Sequence, residues 1–136
     1  MLFEIEIIKF LKKKGFNVFY KAHPERPDFI KKIYEKYADK VYFEKFENLD
    51  VYKDIGTLLF TNTCSSTFGY SLCTNKKIIL LYNEKYFRDH IKELKKRITI
   101  IPCYFDTKYR VDFKKISKAI NKKSFMNYDY VKKYLI

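Results

Sequence analysis

TLLFTNTCSSTFGYSLCTNKKIILLY, residues 57–82, decides the fold. Thr57–Thr61 is a short apolar run rich in strand formers, and a polar knot, Asn62 to Thr67, interrupts it. A helix follows to about Thr74, Asn75-Lys76 makes a turn, and Lys77–Tyr82 is a second apolar run. Neither run alternates polar with apolar, so each reads as a strand buried on both faces, the pattern of a parallel sheet.

The same alternation extends outward in both directions. Leu2–Lys14 reads as a helix with Phe3, Ile7, Phe10 and Leu11 on one face, lysines in its last turn and Gly15 at the C′ position. Phe16–Ala22 reads as a strand that ends at His23-Pro24, Asp28–Tyr37 as a helix and Lys40–Phe43 as a strand. Asn48–Asp54 is a short helix or turn. On the other side come a helix over Glu84–Lys96, a strand over Ile98–Ile101 stopped by Pro102, and helices over Val111–Asn121 and Asp129–Ile136. Strands alternating with helices predict an α/β fold: an open, doubly wound (Rossmann-like) parallel sheet of about five strands with flanking helices, in one domain over residues 1–136. Tyr34, Tyr37, Tyr128 and Tyr130 are expected to pack or line the rim of that core.

Composition narrows the function. The 136 residues carry a formal charge of +13, which points to an anionic partner such as a phosphate-bearing ligand, nucleic acid or an anionic membrane surface. Of the 29 basic residues, however, 25 are Lys and 4 are Arg, and the chain is rich in Ile, Tyr, Phe and Asn, with no Trp. That is the bias of an AT-rich coding sequence, and base-reading proteins favour Arg for its bidentate fork, so the expectation is against nucleic acid. No apolar run reaches the length of a membrane span, and the first residues lack the basic region and cleavage site of a secretory signal. The expected location is therefore cytoplasmic, with the charge leaving open a peripheral position at the inner face of the membrane. Cys64, Cys73 and Cys103 lack metal-ligand spacing and are expected to be buried free thiols; no metal is implied.

Three glycines exclude both the dinucleotide fingerprint and the P-loop, and no G-x-S-x-G elbow is present. Ligands of open α/β sheets bind beyond the carboxyl ends of the strands. Two segments there carry chemistry. Ser65, Ser66 and Thr67 stand at a helix start, where free N–H groups and hydroxyls suit an anion; capping alone is the competing explanation. His23, fixed by Pro24, follows the earlier strand and can donate to a phosphate or sugar oxygen. Lys21 adds a charge, and Glu25 and Arg26 flank the site. His23 and the Ser-Ser-Thr turn together would form a phosphate clamp.

Phe19-Tyr20-Lys21-Ala22-His23-Pro24, then Asn62-Thr63-Cys64-Ser65-Ser66-Thr67-Phe68-Gly69-Tyr70, then Asn75-Lys76-Lys77-Ile78-Ile79-Leu80-Leu81 resembles the C-terminal nucleotide-binding domain of GT-B glycosyltransferases that use cytidine nucleotides. These include sialyl- and polysialyltransferases, capsule Kdo transferases, CDP-glycerol glycerophosphotransferases and related surface carbohydrate biosynthesis proteins. The likeness covers Phe16 to Tyr82, with the two motifs about forty residues apart, as in the family. It implies that His23, Pro24, Ser65, Ser66 and Thr67, with Lys21, bind the nucleotide of a CMP- or CDP-linked sugar or polyol used as substrate, with no other cofactor. Thr63 replaces an Asp of the teichoic acid enzymes, and Ser71 replaces a Glu of many GT-B domains. The resemblance also implies that the chain is the donor-binding half of a larger two-domain enzyme, working with an acceptor domain or partner chain and not turning over substrate alone. No catalytic residue is assigned. A non-enzymatic α/β binding or assembly module and a basic nucleic-acid-binding domain are the alternatives.

Overall fold

The computed structural model describes residues 2–22, 27–43, 53–61, 66–83, 89–105 and 109–122. The chain divides into two compact units, Met1–Tyr52 and Lys53–Ile136.

The first unit is α1 (Leu2–Lys13), β1 (Phe19–Lys21), α2 (Asp28–Glu35) and β2 (Lys40–Tyr42). Gly15 ends α1 as expected: its φ is +91°, its N–H donates to Lys12 O at 3.0 Å, and Phe16 N–H donates to Leu11 O at 3.1 Å. Those two bonds form a Schellman cap, which a residue with a Cβ adopts only under strain. β1 and β2 are parallel, with Phe19 opposite Lys40, Tyr20 opposite Val41 and Lys21 opposite Tyr42. The core joins Ile5 and Ile8 of α1, Tyr34 of α2, Ala38 and Val41, and Tyr20 packs against it. The buried stripe of α1 therefore runs through Ile5, Ile8 and Leu11, with Ile7 also buried, while Phe3 and Phe10, expected on the buried face, are only half-buried. Tyr34 is completely buried and Tyr37 half-buried, both against this core.

Asp39 closes the open end of the ladder. Its N–H donates to Val18 O at 2.8 Å, its carboxylate accepts from Val18 N–H at 2.6 Å, and it pairs with Lys12. The Lys12 ammonium and the Val18 N–H hold its carboxyl below the usual range.

The second unit begins with a 3₁₀ turn at Lys53 and Asp54 and continues as β3 (Thr57–Phe60), α3 (Ser66–Leu72), β4 (Lys77–Asn83), α4 (Asp89–Leu94), β5 (Thr99–Phe105), β6 (Tyr109–Arg110) and α5 (Phe113–Asn121). The strands lie in the order β3-β4-β5-β6; the first three are parallel and β6 is antiparallel. β4 is central, and Ile78 to Leu81 are all 2% exposed or less, as its unbroken apolar run predicts. α5 packs on β4 and β5 through Ile116 and Ala119, and Asp112 caps it by accepting from Lys115 N–H at 3.2 Å. Lys77, at the head of β4, donates to the carbonyls of Ile120 and Lys122 at the far end of α5.

The protein is thus α/β with parallel strands and flanking helices. Its described strands fall into a two-stranded and a four-stranded sheet, where about five strands in one sheet were expected. Pro102 does not stop β5. The bridge Tyr82↔Pro102 persists because the ring nitrogen faces away from β4, on the side where β6 pairs only with Tyr104 and Phe105. The expected C-terminal helix over Asp129–Ile136 lies outside the described residues, as does most of Asn48–Asp54. Among the described residues, no helix is long and apolar enough to cross a membrane.

The first unit is tied together by one carboxylate oxygen. Glu4 Oε2 accepts from Tyr20 OH and Tyr34 OH, each at 2.6 Å, and the two rings stack at 4.0 Å and 5°. Burial, then the bond to Glu4, raises the Tyr20 hydroxyl well above its ordinary 10.0. Because the folded value is the raised one, this stabilisation is intact below about pH 10 and falls as pH rises beyond it. Glu4→Ala, which strands both hydroxyls, is expected to lower unfolding free energy by about 2–3 kcal/mol. Urea unfolding across the alkaline range should show a shallower loss of stability in Tyr20→Phe than in the parent.

Candidate functional site

Both segments singled out by sequence begin where a parallel strand ends. β1 ends at Lys21, directly before Ala22 and His23; β3 ends at Phe60, and Thr61 leads into the polar run that opens α3. His23, Pro24, Glu25, Arg26 and Ser65 lie outside the described residues, as do Asn62 to Cys64 and the side chain of Ser66. The backbone of Ser66 opens α3, and Thr67 follows, half-buried, in its first turn. Lys21 is half-buried, with Nζ 3.5 Å from Ala22 O. Lys21 belongs to the first unit, Ser66 and Thr67 to the second.

The surroundings of α3 explain how a short helix holds its place. Phe68, 4% exposed, packs edge-on against Phe60, with ring centroids 5.1 Å apart at 89°. That contact locks the helix onto the strand it follows. Ser71 is completely buried and donates to Thr67 O at 2.6 Å. Its hydroxyl is therefore committed to its own helix.

The far end of α3 is held by Arg97, which is 4% exposed. Its Nε donates to Leu72 O at 3.1 Å, and its Nη2 donates to Thr74 O at 2.5 Å and Lys76 O at 3.2 Å. These carbonyls belong to the last residue of α3 and to the turn before β4, groups that a helix leaves unsatisfied. Thr74 adds a bond from its hydroxyl to Ser71 O at 2.7 Å and receives Lys76 N–H at 3.2 Å. The positive charge also opposes the negative end of the helix dipole.

Glu4, Tyr20 and Arg97, which no sequence motif marks, hold these strands and helices together with Tyr34, expected as a packing residue. Glu4 carries a signal in hindsight: a carboxylate four residues before Ile8 and seven before Leu11, on the apolar stripe of α1. Arg97 carries a fainter one, as one of only four arginines in a lysine-rich chain.

The cysteines differ from one another. Cys103 is completely buried, and burial raises its thiol to about 11; Cys73 is exposed, contrary to expectation, because it sits in the turn beyond α3. Cys64 lies outside the described residues. Among the described residues, no three His, Cys, Asp or Glu side chains gather as metal ligands would.

The chain matches no protein-family model, no curated protein and no solved structure.

Two measurements check this description. Arg97→Met, which leaves its carbonyl partners without their donor, should destabilise the protein by about 3 kcal/mol, and Arg97→Lys by less, since an ammonium cannot span the same carbonyls in one plane. Thiol titration with Ellman's reagent should label Cys73 in the native protein and Cys103 only on unfolding.

Proposed function

We propose that the chain binds the nucleotide of an activated sugar or polyol, CMP- or CDP-linked, as the donor-binding domain of a glycosyl- or glycerophosphotransferase of bacterial surface-polysaccharide synthesis. One observation carries the reading: His23-Pro24 and the Asn62–Thr67 run each follow the carboxyl end of a strand in a parallel pair, where open α/β sheets take their ligands. The ordered pair of motifs, and their likeness to the cytidine-nucleotide GT-B enzymes, supplies the substrate class.

In this reading the imidazole of His23 donates to a phosphate oxygen, and Pro24 fixes the turn that aims it. The hydroxyls of Ser65, Ser66 and Thr67 donate to neighbouring phosphate oxygens, and Lys21 contributes a point charge. The chemistry such groups perform is electrostatic: they stabilise negative charge as it builds on the departing nucleotide. None is assigned as general acid or base, a role that belongs to an acceptor domain or partner chain. The structure supports the reading in one further respect. Phe60 and Phe68 hold α3 against the strand it follows, and Arg97 holds its far end.

Calorimetric titration with CMP and CDP, against UMP, UDP and AMP, tests it. Cytidine nucleotides are expected to bind preferentially, and His23→Ala and Ser66→Ala each to weaken them by about tenfold or more. Equal affinity for all five nucleotides, or cytidine binding untouched by both substitutions, would refute it.

A further inference from the structure

β1 and β2 present two unlike faces. Successive side chains of a strand point to opposite sides. Tyr20 and Val41, register partners, face the core, with α1 and α2 packed over them. Phe19 and Lys21 of β1, and Lys40 and Tyr42 of β2, stand on the other side. The register sets Phe19 beside Lys40 and Lys21 beside Tyr42, so aromatic and cationic residues alternate both along and across the strands. The rings of Phe19 and Tyr42 are 6.4 Å apart at 53°, and Lys40 Nζ lies 5.4 Å from the Tyr42 ring centre. Phe19 is 39% exposed and Lys40 is exposed, with Lys21 and Tyr42 half-buried. These two strands place no carboxylate on this face.

A parallel sheet is ordinarily covered on both sides, and on this side Phe19 and Lys40 are exposed. What suits it must offer π surface to the rings and negative charge to the ammonium groups. A single strand of nucleic acid offers both in every nucleotide, whereas a duplex keeps its bases stacked on one another. The scarcity of Arg, which argues against reading base edges, does not weigh against this mode, since stacking and phosphate contact need no bidentate fork. The net charge of +13 adds long-range attraction. We propose that the outer face of β1 and β2 binds single-stranded nucleic acid without sequence preference, bases stacking on Phe19 and Tyr42 and phosphates lying against Lys40. This is an activity beyond donor-nucleotide binding.

The test is fluorescence anisotropy of the full chain with a labelled oligothymidylate, set against a duplex of equal length and against inorganic polyphosphate as competitor. The single strand should bind more tightly than the duplex and weaken steeply with salt. The double variant Phe19→Ala/Tyr42→Ala should lose about tenfold or more, and Lys40→Gln should reduce the salt slope by about one. Phe19→Trp keeps a stacking surface in a chain with no other Trp; it should retain binding, with its fluorescence quenched by the oligonucleotide. A Phe19→Trp protein that binds without quenching, or a folded double variant that binds like the parent, would overturn the proposal. So would polyphosphate competing as well as the oligonucleotide. Phe19, Tyr42 and Lys40 are not among the residues of the proposed donor-nucleotide site, so His23→Ala separates the two readings: it should weaken CMP binding by about tenfold or more and leave oligonucleotide binding in place.

Discussion

Arg97 resolves the main conflict in the second unit. β4 is buried on both faces, and excluding Ile78 to Leu81 from water favours folding by about 1.5–3 kcal/mol for each side chain. To enter that position the chain must leave α3 and turn sharply, which points the carbonyls of Leu72, Thr74 and Lys76 toward the interior. Left without donors, those groups would offset much of the gain from the strand. A guanidinium meets all three from one side chain. The position of α3 depends on that arrangement.

The first unit meets the same kind of constraint with a carboxylate. α1, β1 and α2 converge on Glu4 Oε2, and the stacked Tyr20 and Tyr34 rings make the junction both apolar and hydrogen-bonded. Tyr20 lies in β1 immediately before Lys21, so the position of β1 traces to a residue near the start of the chain. In each unit one side chain, Glu4 or Arg97, placed among hydroxyl or backbone partners, fixes an element next to one of the two candidate segments.

Much of the fold was legible because its signals are local. The apolar run at Ile78–Leu81, the Gly15 cap and the helical spacing of α2 each specify their element without reference to distant residues. Pro102 was misread because the cost of proline in a strand depends on which neighbour its nitrogen faces, and only the register with Tyr82 reveals that. β6 has two residues and no periodicity of its own to display. The candidate site was read from two short contiguous motifs, His-Pro and Ser-Ser-Thr, which lie largely outside the described residues. The contacts that hold α1, α2 and α3 were not legible, because Glu4 with Tyr34 and Arg97 with Leu72 become partners only through tertiary approach. That Cys73 is exposed and Cys103 lies in the core likewise follows from tertiary position: by sequence each is a lone thiol with an apolar residue before it.

The lysine excess looks different once its partners are known. Lys9 lies over Tyr37, Lys14 over Phe10, Lys31 over Phe43 and Lys40 over Tyr42, at 5.1–5.8 Å from the ring centres. Lys12 is paired with Asp39, and Lys77 ties α5 to β4. In a chain that is 19% aromatic, long cationic side chains with apolar stems make good covers for rings that reach the surface, gaining cation–π attraction while keeping the charge hydrated. Part of the charge is therefore explained by the needs of the fold, and net charge by itself says little about a partner. What bears on function is where a ring stays accessible beside cations. The outer face of β1 and β2 is such a place: Lys40 already lies over Tyr42, and Phe19 next to them keeps more than a third of its surface open. An anionic ligand with a flat aromatic group would take over at Phe19 the covering role that lysine stems perform elsewhere in this chain.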